Sequence, residues 1–182
     1  MLVPGVETLP WFLKFLAPVF DKFGGTTAGY AKQTTHEPIN EKNGFKIAPA
    51  ICYESIYGEY LSKYINKGAN LICIITNDGW WKNTPGHKQH NAYARLRAIE
   101  TGTWVCRSAN TGISCFISPG GEVLQPQPYN TKAAIKLSIK AEQNEQTFFV
   151  KHGDLLSKLM LIVAAIFIIL VVIKKFFLKK AS

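Results

Sequence analysis

The sequence predicts an α/β domain followed by one membrane-spanning helix, on three observations. Between residues 45 and 125, short apolar runs of strand character alternate with segments of helical period, as in a sheet flanked by helices. Leu71–Thr76 (LICIIT) is apolar without interruption, the mark of a strand inside a parallel sheet covered on both faces. Residues 159–173 (LMLIVAAIFIILVVI) form an unbroken apolar run of fifteen. The 182 residues suit one domain of moderate size with a short appendage, and 47% hydrophobic with 12% aromatic content is enough to pack a core.

Taken in order, residues 9–23 carry Phe12, Phe15, Leu16, Val19, Phe20 and Phe23 along one helical stripe, which Pro18 bends or interrupts. The stripe fits a core helix or one lying on a bilayer surface equally well. Gly24 and Gly25 end it, and residues 26–44 read as a polar loop. Residues 45–51 (FKIAPAI) read as a buried strand. Residues 55–67 read as a helix with Ile56, Tyr60, Leu61, Tyr64 and Ile65 on one face and Gly68 as its stop. After the strand Leu71–Thr76 comes a loop, residues 77–86 (NDGWWKNTPG). Residues 87–101 form a helix with Ala92, Leu96 and Ile99 in one row, stopped by Gly102. Short strands follow at 104–109, 113–117 and, past the turn at 118–121, 122–125. Residues 132–140 (KAAIKLSIK) alternate Ile135, Leu137 and Ile139 with polar neighbours and read as a half-exposed edge strand. No internal repeat appears.

Extending the apolar run to residues 155–178 gives about the 20 residues that a bilayer core requires. Its charges, Lys158, Lys174 and Lys175, sit near the ends, where they reach the interface. A soluble core helix would show a polar face, and this segment has none. The net charge is +9, and without Lys174, Lys175, Lys179 and Lys180 about +5 remains, spread thinly. That distribution argues against nucleic acid as a partner. It also places the tail in the cytoplasm and the residues before 155 on the far face of the membrane. No signal peptide precedes them, so upstream sequence is expected.

The four cysteines, Cys52, Cys73, Cys106 and Cys115, lack the spacing of a disulfide framework or a zinc site. Three lie within apolar runs and read as buried thiols. Cys52 differs: it ends a strand, precedes a helix and is followed at once by Tyr53 and Glu54. A nucleophile at such a turn is exposed at the sheet's edge near backbone N–H groups, and a helix N-terminus there favours the thiolate. Glu54 also suits a plain capping role. Asn77, Asp78, Gly79, Trp80 and Trp81 follow the next strand, and loops at that end of a parallel sheet line the ligand crevice. The two tryptophans read as a pocket wall or lid, or as an interfacial anchor. His87 and His90 have H-x-x-H spacing without a third ligand, a weak metal signal. Arg95, Arg97 and Glu100 form either a solvated face or an internal ion pair.

The stretches PAICYES, ITNDGWW, QHNAYARLRAIETG and RSANTGISCFISPGGE resemble the C-terminal half of a nitrilase-like carbon–nitrogen hydrolase domain. With LVPGVE upstream and the closing apolar helix, the resemblance narrows to the apolipoprotein N-acyltransferase family. It implies half of an αββα sandwich over residues 1–150, an interfacial arm at 9–23, and a transmembrane helix at 155–178 with a basic cytoplasmic tail. It makes Cys52 the nucleophile of a Glu–Lys–Cys triad, with Glu54 and Glu7 as further catalytic residues and Tyr53, Asn77, Trp80 and Trp81 against substrate. No cofactor or metal is implied. The Cys takes an acyl chain from phospholipid as a thioester and passes it to the N-terminal diacylglyceryl-cysteine of an apolipoprotein. The enzymes sit in the bacterial inner membrane with several spans and the catalytic domain on the periplasmic side. The family's base glutamate and catalytic lysine precede the LVP segment, so these 182 residues alone are expected to be an inactive fragment. Two alternatives remain open: a soluble carbon–nitrogen hydrolase of the amidase or nitrilase type using the same cysteine, and a non-enzymatic membrane-anchored fragment.

Overall fold

A computed structural model describes residues 35–140 and 145–180. Isoleucine and other apolar residues at alternate positions build three parallel strands, β2 (Lys46–Ile51), β3 (Leu71–Thr76) and β4 (Trp104–Ala109). Their register sets Ile47 beside Leu71 and Ile72 beside Val105. β1 (Ile39–Asn40) pairs antiparallel with β2, β5 (Cys115–Ile117) with β4, and β6 (Val123–Leu124) with β5. The sheet therefore runs β1-β2-β3-β4-β5-β6 in chain order. Two crossover helices, α1 (Gly58–Asn66) and α2 (Pro85–Thr101), connect the parallel strands.

The period of two decides which side of each strand the helices cover. Ala48, Ala50, Ile72, Ile74, Val105 and Ile117 face them and pack against Leu61, Tyr64, Ala94 and Ala98. Alanines four apart on α2 let that helix lie close to the sheet. Pro85 opens α2 and Gly102, at φ +63°, closes it in the left-handed region. The opposite sheet face is apolar too but open among the described residues: Ile51 is 58% and Ile75 64% exposed. The expectation of a strand covered on both faces thus holds for one face only.

Three other expectations change. The row Ala92, Leu96 and Ile99 points outward, and α2 buries His87, His90, Asn91, Ala94, Arg97, Ala98 and Thr101 instead. Ala94 and Ala98 let the inner side lie close to the sheet, and the polar residues beside them are buried with hydrogen-bond partners such as Asp78 for His90 and the Ile56 carbonyl for Arg97. The helix expected over 55–67 begins only at Gly58 and is preceded by a 3-10 turn, Cys52–Ile56. Residues 132–140 join no sheet: Ile135, Leu137 and Ile139 are half-buried in alternation, as the period requires, but no ladder forms. The neighbouring β6 is two residues long, and the Gln125 side chain donates to the Lys136 carbonyl at 3.0 Å.

A short helix, α3 (Phe148–His152), fastens the end of the domain. Val150 is buried in the core, the Asn66 amide donates to its carbonyl at 3.1 Å, and Thr147 donates to the Glu100 carbonyl. After Gly153, at φ +64°, α4 (Leu155–Lys180) leaves the domain. Its first turn is tied back by Lys158 to Glu59 at 3.1 Å and by the Asp154 N–H to the same carboxylate at 3.3 Å. Among the described residues α4 is the one helix long and apolar enough to cross a membrane, over Leu155–Lys175, and every side chain of that stretch is exposed. At 1.5 Å per residue those residues reach about 30 Å, a bilayer core.

Ile72→Ala, which empties the centre of the core, is expected to lower unfolding stability by about 2–5 kcal/mol, read by chemical denaturation in detergent. A carbonate wash at high pH is expected to leave the protein in the membrane pellet; recovery in the supernatant would remove α4 as a span.

Candidate active site

Cys52 stands at the corner where β2 ends, with φ at +51°. The left-handed region costs a non-glycine residue about 1–3 kcal/mol and persists where neighbours over-determine it. Here they do. The Ser55 hydroxyl donates to the Cys52 carbonyl at 2.7 Å, and the Ile51 N–H donates to the Glu54 carboxylate at 2.8 Å. The Tyr57 N–H closes the turn on the Glu54 carbonyl at 3.2 Å. Glu54 thus serves as a cap, and Cys52 remains partly open to solvent. The helix terminus expected beside the thiol is displaced to Gly58, because the five residues from Cys52 form the tighter 3-10 turn.

Beneath the turn lies a fully buried polar cluster centred on Asp78. One carboxylate oxygen accepts from His90 Nδ1 at 2.8 Å and from the Thr76 hydroxyl at 2.9 Å. The other accepts from Arg107 Nη2 at 2.7 Å. Arg107 Nη1 donates to the Ile113 carbonyl at 2.6 Å, and the Asp78 N–H to the Thr111 carbonyl at 2.6 Å. On its far side His90 Nε2 stands 3.0 Å from Ser55 Oγ and 3.2 Å from the Cys52 carbonyl oxygen. Burial alone would raise the Asp78 carboxyl; the bonds from His90 and Arg107 and the guanidinium charge outweigh it and hold the group below its ordinary 3.8. Gly112, at φ +143°, is required here, since a Cβ would lie 2.6 Å from Asp78 Oδ2.

Aromatic rings wall the cluster. Trp81 packs against Tyr53 (centroids 5.7 Å apart) and edge-on to His90 (5.5 Å), while Tyr53 lies 5.6 Å from the same imidazole. Gly86 lets α2 approach Trp81, whose Cγ would be 2.6 Å from an added Cβ. Trp80 does the opposite and is 85% exposed. The tryptophan pair therefore divides between wall and surface. Asn77 caps its own loop by accepting from the Gly79 N–H at 3.1 Å.

Tyr53, Glu54 and Trp81 thus stand at the Cys52 corner, while Asn77 caps the loop that carries Trp81 and the exposed Trp80. Glu7 and the 9–23 stripe lie outside the described residues. The H-x-x-H pair does not converge: His90 turns to Asp78, and His87 stacks on Tyr129 at 4.6 Å. No cluster of three or more metal-ligating side chains occurs among the described residues. Arg97 and Glu100 resolve as an internal ion pair at 3.1 Å, and Arg95 donates to the Gly121 carbonyl. Of the three remaining cysteines only Cys115 is fully buried, its thiol pushed up to about 11 by burial; Cys73 and Cys106 are half-exposed register partners on the open face.

Ser55, Asp78 and Arg107 escaped the reading of the sequence as site residues, and His90 entered it only as a metal ligand. One signal was available. His87, His90, Asn91, Ala94, Arg97, Ala98 and Thr101 follow helical spacing, a stripe of small and polar residues on a helix whose other row is apolar.

The carbon–nitrogen hydrolase family model matches residues 11–147. An apolipoprotein N-acyltransferase of Allorhizobium ampelinum is 36% identical over 152 residues, covering 79% of this chain and 28% of that protein. One of Wigglesworthia glossinidia brevipalpis is 32% identical over 178 residues, covering 98% of this chain and 35% of its own length. One of Brucella suis is 40% identical over 126 residues, covering 67% and 23%. The chain thus spans about a third or less of these curated relatives. A crystal structure of a carbon–nitrogen hydrolase from Helicobacter pylori superimposes with a TM-score of 0.52 at 16% identity, over 58% of this chain and 44% of that one, a likeness of fold.

Asp78→Asn removes the only anion between Arg107 and His90 in the cluster and is expected to lower stability by about 3–5 kcal/mol, read by thermal unfolding. Because the folded Asp78 carboxyl lies below its ordinary 3.8, its contribution is complete above that pH and is lost as pH falls through the lower folded value. Unfolding followed from pH 7 to pH 2 is expected to show that acid loss in the parent and not in Asp78→Asn.

Proposed function

The chain belongs to the carbon–nitrogen hydrolase family, and we propose that it carries the nucleophile of a membrane N-acyltransferase, with Cys52 as the acyl carrier. The observation that carries the proposal is the union of a presented cysteine with an apolar helix. Helix α1, which follows the Cys52 turn directly, carries Glu59, and that carboxylate meets Lys158 and the Asp154 N–H at the start of α4. A small-amide hydrolase has no use for that connection; an enzyme whose donor is a bilayer lipid does. The name of the relatives, apolipoprotein N-acyltransferase, supports an apolipoprotein amine as the acceptor, which in this reading is the N-terminal diacylglyceryl-cysteine.

In this reading the Cys52 thiolate adds to the ester carbonyl carbon of a phospholipid. The C–O bond to glycerol breaks, the lysophospholipid oxygen takes a proton, and a thioester remains. The acceptor amine then adds to the thioester carbon, loses a proton, and the C–S bond breaks to return the thiolate. Among the described residues none hydrogen-bonds the Cys52 thiol, so the proton-transferring base is assigned outside them. Tyr53, Trp81 and Asn77 would border the acyl chain, Trp80 would meet lipid, and Glu54 would hold the corner. Glu7 and the 9–23 arm would serve catalysis and lipid entry. Residues 1–150 would lie on the periplasmic side of a bacterial inner membrane, residues 155–178 within it, and the lysine-rich tail in the cytoplasm.

Membranes containing the longest natural form of the protein, incubated with phospholipid vesicles, are expected to yield a long-chain acyl thioester on Cys52 by peptide mass spectrometry. Cys52→Ser is expected to abolish it. Ammonia release from small amides with Cys52 never acylated by lipid would move the assignment to the amidase reading.

A further inference from the structure

We propose that His90 is a positioning residue for the nucleophile: oriented by Asp78, it holds the Cys52 carbonyl and the Ser55 hydroxyl, and so keeps Cys52 in its left-handed conformation. The inference rests on Cys52 being the nucleophile, as argued above, and adds what presents it.

The geometry defines each partner's part. Nδ1 faces an Asp78 carboxylate oxygen at 2.8 Å, with Arg107 Nη2 3.2 Å away, and donates to that oxygen. Nε2 faces the Cys52 carbonyl and the Ser55 oxygen, whose own proton is on that carbonyl, so it too serves as a donor. The ring holds the corner with both N–H groups. The bond to Asp78 fixes the ring plane and directs Nε2 at the underside of the Cys52 corner. There Nε2, Ser55 Oγ and the Cys52 carbonyl oxygen lie within 2.7 to 3.2 Å of one another. The three elements that meet are the 3-10 turn through Ser55, helix α2 through His90, and strand β4 through Arg107, which anchors Asp78 at 2.7 Å. His90 and Asp78 are withdrawn from water, and the Tyr53 and Trp81 rings cover the imidazole. Hydrogen bonds in such a site are stronger than in water and tolerate no vacancy.

Ser55, His90 and Asp78 have the order of a hydrolytic triad, but Ser55 is fully buried and its proton goes to a backbone carbonyl. It is not a second nucleophile. Packing alone does not call for this arrangement either, since apolar side chains fill a core at least as well as a desolvated Asp–Arg–His cluster. What the cluster does that apolar residues cannot is bind a carbonyl group. The carbonyl it binds belongs to the one described cysteine with positive φ.

The test compares alkylation rates of Cys52 and Cys73 by iodoacetamide on the whole protein in detergent, read by peptide mass spectrometry. Cys73, half-exposed on the opposite sheet face, reports folding. His90→Ala and Ser55→Ala are each expected to slow alkylation of Cys52 about tenfold with Cys73 unchanged, since a thiol's rate follows its access and thiolate fraction, both of which the held corner sets. His90→Gln, which keeps a polar group near the Nε2 position, is expected to recover part of the rate. Equal Cys52 rates in the parent and in His90→Ala would overturn the proposal. So would a parallel change at Cys73, or a Gln variant no better than Ala. A parent Cys52 no more reactive than Cys73 would instead defeat the nucleophile assignment itself.

Discussion

A carboxylate taken out of water must be surrounded by donors or it protonates. Asp78 is so surrounded, and meeting its demand organises the molecule around Cys52. Thr76 reaches it from the end of β3, His90 from α2 and Arg107 from β4, while its own N–H ties to Thr111 in the β4–β5 turn. Gly112 is bare because the carboxylate passes so near. His90 then carries the constraint to Ser55 and the Cys52 carbonyl. The four sequence stretches that carry the family resemblance are the four segments brought together here. Three of them converge on Asp78 and so fix the corner of the fourth, which holds Cys52.

The sheet was legible in the sequence because strand signals are local. LICIIT and FKIAPAI state their strand character in a few residues, though one face of each proves open, and their parallel pairing follows from the helix between them. The position of Cys52 at a strand end was legible for the same reason. What the sequence hid was which face of α2 is inner. Hydropathy pointed to Ala92, Leu96 and Ile99, and the sheet instead accepts the face with alanines and buried polar groups. The reversal has one cause: an inner face that includes ion pairs and hydrogen-bonded histidine does not look apolar. Asp78 likewise read as a loop residue, since its partners lie 12 and 29 positions along the chain. Residues 132–140 show the converse error, a correct period without a partner strand to realise it.

Helix α3 is small, yet its placement governs how the two parts of the chain meet. Val150 enters the core between α1 and α2, Thr147 and Asn66 bind its backbone and that of Glu100, and five residues after Val150 the apolar helix starts. Glu59, on α1, receives both the Asp154 N–H and Lys158. These last contacts are exposed and individually weak. The buried Val150 does the holding, and the surface pair adds direction.

Only Gly153 and Asp154 separate α3 from α4. A catalytic domain on a long tether samples a volume and can travel to its substrate; one seated directly on its anchor keeps a constant height and tilt. In the acyl transfer proposed above, reach at Cys52 would become a property of the lipid. Chains of a reacting phospholipid would have to leave their leaflet and climb to a stationary sulfur, so the ease of that excursion would follow the order and composition of the surrounding bilayer. Membranes that stiffen in the cold would then slow the same active site without altering one of its bonds.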